Sequence, residues 1–507
     1  MRWGSQLIGG RDNVQAFPIA ATRIGPIRFA TMLLASLAVG FLIGERYLPR
    51  LDGGDLSTVK MTYEQIRRER KSGLLKKTVV SSRAETREEI APRPLPPAGT
   101  PSSRAAVALA NFYAALRGLD DGSRSEPVTI LHLGDSHIAS DRFTGDMREL
   151  LQVRFGDAGR GMMMPGFPFG YYRARGASFA KSSGWTAYNS LNKGDGPYGI
   201  SGVKLTTSNR GAWLSLTSRD GAFEWAEVAL LTGPGQGSVE IAVDRTTTTV
   251  QTRSPERGMV YERIPVKGTK LKLSAMGDGA VTVLSWTVGV ERPGVRYVNF
   301  GIPSATADIT RQWDDRLVAA DLKRLSPELI ILGYGTNEGF NDGLNQNAYQ
   351  RRIEGLIKKL QRMAPKADFL IIGPPDGARF PRALRGRVKM ASLTGMGCHA
   401  LAAEEKESYS RLLRAGDGRL ARWHPPPKLS AVRVALKRAA KSVGADFWDW
   451  SQVMGGACGI HEWVESEPRL ATSDHVHITA AGSKRSAEAL YTELMAGFTA
   501  HRMVAQR

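Results

Sequence analysis

Apolar and polar positions divide the chain into three stretches of different character. From Phe29 to Gly44 the run FATMLLASLAVGFLIG has no charged residue and is bounded by Arg28 and Glu45. From Arg50 to Ser103 the sequence is charged and then proline-rich (APRPLPPAGTPSS), without sustained apolar periodicity. That composition predicts a disordered linker over 45–104. From residue 105 onward the pattern is that of a folded protein. Leu109, Phe112, Tyr113 and Leu116 recur at helical spacing, and VTILHL comes next as an apolar run suited to a buried strand.

Beyond Leu133, short apolar runs alternate with amphipathic stretches. The pattern predicts strands over Val128–Leu133, Tyr297–Phe300, Leu329–Leu332, Phe369–Ile372 and Ala445–Trp448. It predicts helices near Phe143–Phe155, Ile309–Leu325, Tyr349–Met363, Leu429–Ser442 and Ala480–Phe498. Strand and helix in alternation imply an α/β fold with a doubly wound parallel sheet. Between Gly159 and Arg296 the alternation stops. AWLSLTS, AEVALLT, SVEIAV, TTTVQT, VYERIPV, TKLKLSA and VTVLSWTV read as seven or so short strands, which predicts an all-β, jelly-roll-like domain inserted into the α/β domain. The expected organisation is therefore 1–28 as a cytoplasmic N-terminal segment, 29–44 as a membrane anchor or signal segment, 45–104 as linker, 105–159 and 297–507 as the two parts of the α/β domain, and 160–296 as the insert.

As a helix, residues 29–44 reach about 24 Å, short of the roughly 30 Å hydrocarbon core unless Arg28 snorkels and Ile24, Ile27, Tyr47 and Leu48 extend the span. Arg2, Arg11, Arg23 and Arg28 precede it. The positive-inside rule then leaves the N-terminus in the cytoplasm and exports the chain beyond Glu45. The expectation is an inner-membrane anchor with the folded part in the periplasm, or secretion to the periplasm if the segment is cleaved.

Charge narrows the partners. Lys+Arg 69 against Asp+Glu 49 gives +20, which favours anionic partners. No zinc-finger spacing, aromatic RNA-binding motif or long basic run accompanies it, so no nucleic acid is expected. The two cysteines, Cys398 and Cys458, permit one disulfide in an oxidising compartment. They exclude a cysteine-built metal site, and the histidines show no metal-ligand spacing, so neither metal nor cofactor is implied.

Two short motifs carry chemistry. Gly134-Asp135-Ser136-His137 lies where the first predicted strand hands over to a helix, which lifts Ser136 above the carboxyl edge of the sheet, where open α/β sheets bind ligands. Asp474-His475-Val476-His477 precedes the C-terminal helix. A spacing of three lets one loop bring Asp474 to one ring nitrogen of His477, so that the other nitrogen accepts the proton of Ser136. His475 is the competing base, and the spacing favours His477. An oxyanion hole is read from the backbone N–H groups of Ser136 and Gly301 (in NFGIPSAT) and the side chain of Asn337 (in GYGTNEGF). His137 is open between substrate contact and packing. Pro374, Pro375 and Asp376 either shape the pocket or form a turn, and Trp423, Trp448 and Trp450 read as packing in preference to carbohydrate platforms.

Taken in order, GDSH, the later glycine, GTNE and DHVH resemble the sequence blocks of the SGNH/GDSL hydrolases over about 128–498. The longer stretches LHLGDSHIASDRFTGDMRELLQVRFGDAGRG, YGTNEGF and DHVHIT are similar to the peptidoglycan O-acetylesterases of that superfamily. The resemblance implies a three-layer α/β/α, flavodoxin-like hydrolase domain with an inserted module like a carbohydrate-binding module. It implies Ser136 as nucleophile, His477 and Asp474 as base pair, and Ser136, Gly301 and Asn337 as oxyanion donors. The activity implied is hydrolysis of O-acetyl esters on cell-wall polysaccharide through an acyl-enzyme. Glu338 stands where many members have aspartate. Acetyl transfer to a sugar, lipid or thioester hydrolysis, and an idle wall-binding protein are the competing expectations.

Overall fold

The computed structural model describes residues 107–170, 172–381, 384 and 397–505. The expected anchor at 29–44 and linker at 45–104 lie outside the described residues. Among the described residues no helix is long and apolar enough to cross a membrane.

A five-stranded sheet organises the α/β part: β1 (Val128–Gly134), β2 (Val295–Gly301), β3 (Leu329–Gly333), β4 (Asp368–Gly373) and β5 (Asp446–Asp449), in the order β2-β1-β3-β4-β5 with every pair parallel. Side chains alternate across such a strand, and both faces are covered. Val128 and Ile130 pack with α1 (Ala110–Asp120), α2 (Phe143–Phe155) and the C-terminal α6 (Ala480–Ala505). Leu131 and Leu133 share a second core with α4 (Gln346–Met363) and α5 (Leu429–Val443). In α4 the buried residues are Tyr349, Ile353, Leu356, Ile357 and Leu360, one stripe at helical spacing.

Between β1 and β2 the chain builds two antiparallel sheets. One carries 258–264, 225–232, 281–289, 203–207 and 186–189 in that order, with 161–163 added on 281–289. The other carries 177–181, 213–218, 270–275, 238–243 and 246–251. Inward residues such as Leu205, Leu214, Val228, Ile241, Leu271 and Trp286 are fully buried between them, giving a β-sandwich. All seven runs read from the sequence are strands. Gly161–Met163, Ala177–Lys181, Thr186–Asn189 and Val203–Thr207 were not anticipated, being short and, at 177–181 and 186–189, only partly buried, so their alternation is weak.

The helix expected over Ile309–Leu325 is interrupted. A 3₁₀ segment, Ala307–Gln312, gives way to α3 (Asp315–Leu325). Asp314 causes the break: its carboxylate accepts the Arg316 and Leu317 N–H groups as an N-cap, and its own N–H donates to the Tyr198 carbonyl of the insert. Cys398 and Cys458 form a disulfide.

Candidate active site

Ser136 is the first residue of a four-residue helical turn (Ser136–Ala139) that begins two residues after β1 ends. Two glycines let this turn sit so close to the sheet. A Cβ on Gly134 would lie 2.4 Å from Ile138 Cγ1 and 2.7 Å from the Gly333 carbonyl oxygen. One on Gly301 would lie 2.2 Å from the Ala139 nitrogen and 2.6 Å from the Asp135 oxygen. Asp135 caps the turn through a hydrogen bond from the His137 N–H.

The loop before α6 brings the second motif to the same edge. His477 Nε2 lies 3.1 Å from Ser136 Oγ, and His477 Nδ1 lies 2.7 Å from Asp474 Oδ2. Asp474 Oδ1 accepts the Thr472 hydroxyl and the N–H groups of Val476 and His477. Partial burial opposes ionisation of Asp474, but the His477 ring and these donors outweigh it and hold the carboxyl well below its ordinary range. An ionised Asp474 keeps the proton of neutral His477 on Nδ1, so the Nε2 lone pair faces the serine.

His475 is turned away from this row. It adopts φ 58°, and its ring is buried, stacked on Trp423 with centroids 3.7 Å apart. Its Nδ1 faces the Ser473 carbonyl at 3.1 Å and its Nε2 faces His461 Nδ1 at 2.9 Å. A carbonyl can only accept, so Nδ1 carries the proton in neutral His475 and His461 donates to Nε2. Both nitrogens are thereby used in clamping the loop, and Trp423 is packing.

Asn337 lies just past β3, and its Nδ2 donates to the Ala305 carbonyl at 2.8 Å, which leaves its second amide hydrogen available. The N–H of Ser136, at the start of a helical turn, has no intrahelical acceptor. Gly301 needs correction as a donor. The N–H of Ile302 bonds the Gly134 carbonyl, so by strand alternation the Gly301 N–H faces away from β1, the strand that carries Ser136. What Gly301 contributes is the missing side chain beneath the turn that carries Ser136.

Several neighbours brace the edge. Glu338 is buried, accepts the Ala307 N–H, and is pushed by burial up to about 7. Asp376 is also buried and holds Arg433 and the Ile460 N–H, while Arg433 bonds the carbonyls of Pro374 and Pro375, so this segment is structural. Trp450 stacks on Phe143 and donates to Ser486. Asp141, just past the Ser136–Ala139 turn, receives Arg148 and Arg160 and ties the turn to the root of the insert. Beside it opens a cleft of about 560 Å³ lined by Ser140, Arg142, Arg173, Arg175, Arg219 and the rings of Phe167 and Phe179, among others. The sequence reading did not identify Thr472, Asp141 or the Trp423–His475–His461 clamp. No motif signals them, since each works through a partner distant in sequence or through the backbone.

The GDSL-like Lipase/Acylhydrolase family matches residues 278–485, a span that contains Asn337, Asp474 and His477 and starts after Ser136. Among solved structures, a peptidoglycan O-acetylesterase is similar with a TM-score of 0.59 and 23% identity, over 76% of this chain and 95% of that one. A family two carbohydrate esterase from Cellvibrio japonicus aligns with a TM-score of 0.25 and 11% identity, over 64% of this chain and 99% of that one. No curated protein sequence matches.

Proposed function

We propose that this chain, whose residues 278–485 match the GDSL-like Lipase/Acylhydrolase family, is a carboxylic ester hydrolase of the SGNH/GDSL superfamily that removes O-acetyl groups from cell-wall glycan, with peptidoglycan as the substrate. The observation that carries the reading is the continuous hydrogen-bonded row from Ser136 Oγ through His477 to Asp474 at the carboxyl edge of the sheet. His477 takes the hydroxyl proton as Ser136 Oγ attacks the acetyl carbonyl carbon. The oxyanion is received by the Ser136 N–H and the free amide hydrogen of Asn337. Collapse breaks the bond to the sugar oxygen, which leaves as the alcohol with the proton from His477. Water, deprotonated by His477, then attacks the acetyl-serine. Acetate departs, and Ser136 regains its proton.

Support for the substrate is twofold. The fold is similar to that of a peptidoglycan O-acetylesterase, and the arginine-lined cleft beside Ser140, with the partly buried rings of Phe167 and Phe179 in its wall, suits an anionic saccharide. The disulfide and the apolar segment at 29–44 favour a periplasmic location on the inner membrane. The test is acetate release from O-acetylated peptidoglycan by the wild-type protein and by Ser136→Ala. We expect release by the first and none by the second. Equal release, or acetyl appearing on an added sugar acceptor in place of free acetate, would overturn the proposal.

A further inference from the structure

His137 is bonded in a way that no neutral imidazole satisfies. Its Nδ1 lies 3.1 Å from Asp135 Oδ1, and its Nε2 lies 3.0 Å from the carbonyl oxygen of Val476. A carbonyl oxygen has no proton to give. Asp135 Oδ1 already accepts the His137 backbone N–H at 3.0 Å, so it too stands as an acceptor. Both ring nitrogens must therefore donate, and a neutral ring has only one N–H. The side chain is 2% exposed, so water cannot replace either partner.

The surroundings favour the charged ring. Asp135 faces it from the nucleophile turn, and Asp474 and the His477 ring, whose centroid is 5.6 Å away, face it from the base loop. Trp450 presents an uncharged ring from the remaining side. Burial disfavours both members of the Asp135–His137 pair when ionised, but their mutual attraction and hydrogen bonds outweigh it, so His137 is held above its ordinary range and Asp135 below.

Position gives this ion a task. Asp135 immediately precedes Ser136, and Val476 immediately precedes His477. The bridge Asp135–His137–Val476 therefore runs alongside the Ser136–His477 hydrogen bond, one residue earlier on each loop. We propose that His137 is a positioning residue, a doubly protonated crossbrace that joins the nucleophile turn to the base loop and fixes the distance between Ser136 and His477. The inference rests on the reading of those two residues as nucleophile and base.

The experiment uses full-length protein with ¹⁵N-labelled histidine and hydrolysis of an aryl acetate. At neutral pH, long-range ¹H–¹⁵N spectra should find both ring nitrogens of His137 protonated, and Asp135→Asn, which retains a good N-cap acceptor but removes the negative charge facing the ring, should lower the pH up to which both protons are held. His137→Gln and Asp135→Asn should each lower kcat on the order of ten- to hundredfold, the scale of a misplacement of about 1 Å, with KM essentially unchanged. A single ring proton on His137 in the wild type overturns the proposal even if the variants fold poorly. With Ser136→Ala inactive, wild-type kcat in both variants overturns the crossbrace alone. With Ser136→Ala fully active, the site reading falls and the crossbrace with it.

Discussion

Gly301→Ala tests the packing beneath the turn that carries Ser136 and separates it from a donor role. The added methyl would sit 2.2 Å from the Ala139 nitrogen, 2.6 Å from the Asp135 oxygen and 2.6 Å from the Ile138 carbonyl carbon. These are backbone atoms, which cannot rotate aside, and ordinary contact is about 3.5–4.0 Å. The turn carrying Ser136 must therefore lift by about 1 Å, against a Ser136–His477 distance of 3.1 Å. Displacement of that size costs roughly a hundredfold in turnover, equivalent to about 2.7 kcal/mol of barrier, and overpacking lowers stability by about 1–3 kcal/mol. Alanine keeps the backbone N–H, so a glycine acting only as a donor would tolerate the change. Aryl acetate kinetics and a thermal melt read both effects. Gly355→Ala is the control: it lies in α4 with nothing within 4 Å of the new methyl, and should stabilise by about 0.5–1 kcal/mol. Wild-type kcat and Tm in Gly301→Ala would refute the packing argument.

Asp474→Asn should lower kcat by roughly a thousandfold or more, because the carboxylate that keeps the His477 proton on Nδ1 is lost; steady-state kinetics at constant KM checks it. Glu338 has its carboxyl raised from 4.5 to about 7 by burial, so the folded state retains a proton that the unfolded chain releases. Stability should fall as pH rises between those values and level off above, by at most about 3.5 kcal/mol, and Glu338→Gln should flatten that slope in urea melts at about pH 4 and about pH 8. Replacing Cys398 and Cys458 by serine opens a loop with a sequence separation of 60 and should cost about 2–4 kcal/mol in denaturant unfolding. Unchanged midpoints would show that the segment is held by other contacts.

Local periodicity determined much of this protein. Four of the five α/β strands centre on apolar runs, the edge strand Asp446–Asp449 (DFWD) being the exception, the long covering helices have apolar stripes, and the motif residues Ser136, Asn337, Asp474 and His477 stand at strand ends or before a helix, where loop position is set by element order. The seven insert strands were legible for the same reason. Pairing decided the rest, because it joins residues far apart along the chain. Residues 177–181 and 186–189 are half-exposed and become strands through their partners at 213–218 and 203–207. Asp314 breaks a helical pattern because its N–H meets Tyr198 of the insert. The Gly301 N–H faces away from β1 by strand register, and His475 leaves the catalytic edge because Trp423 and His461 hold its ring. The protonation of His137 belongs to the same class: the chain supplies an imidazole, but two acceptors, one local and one more than three hundred residues away, require its charge.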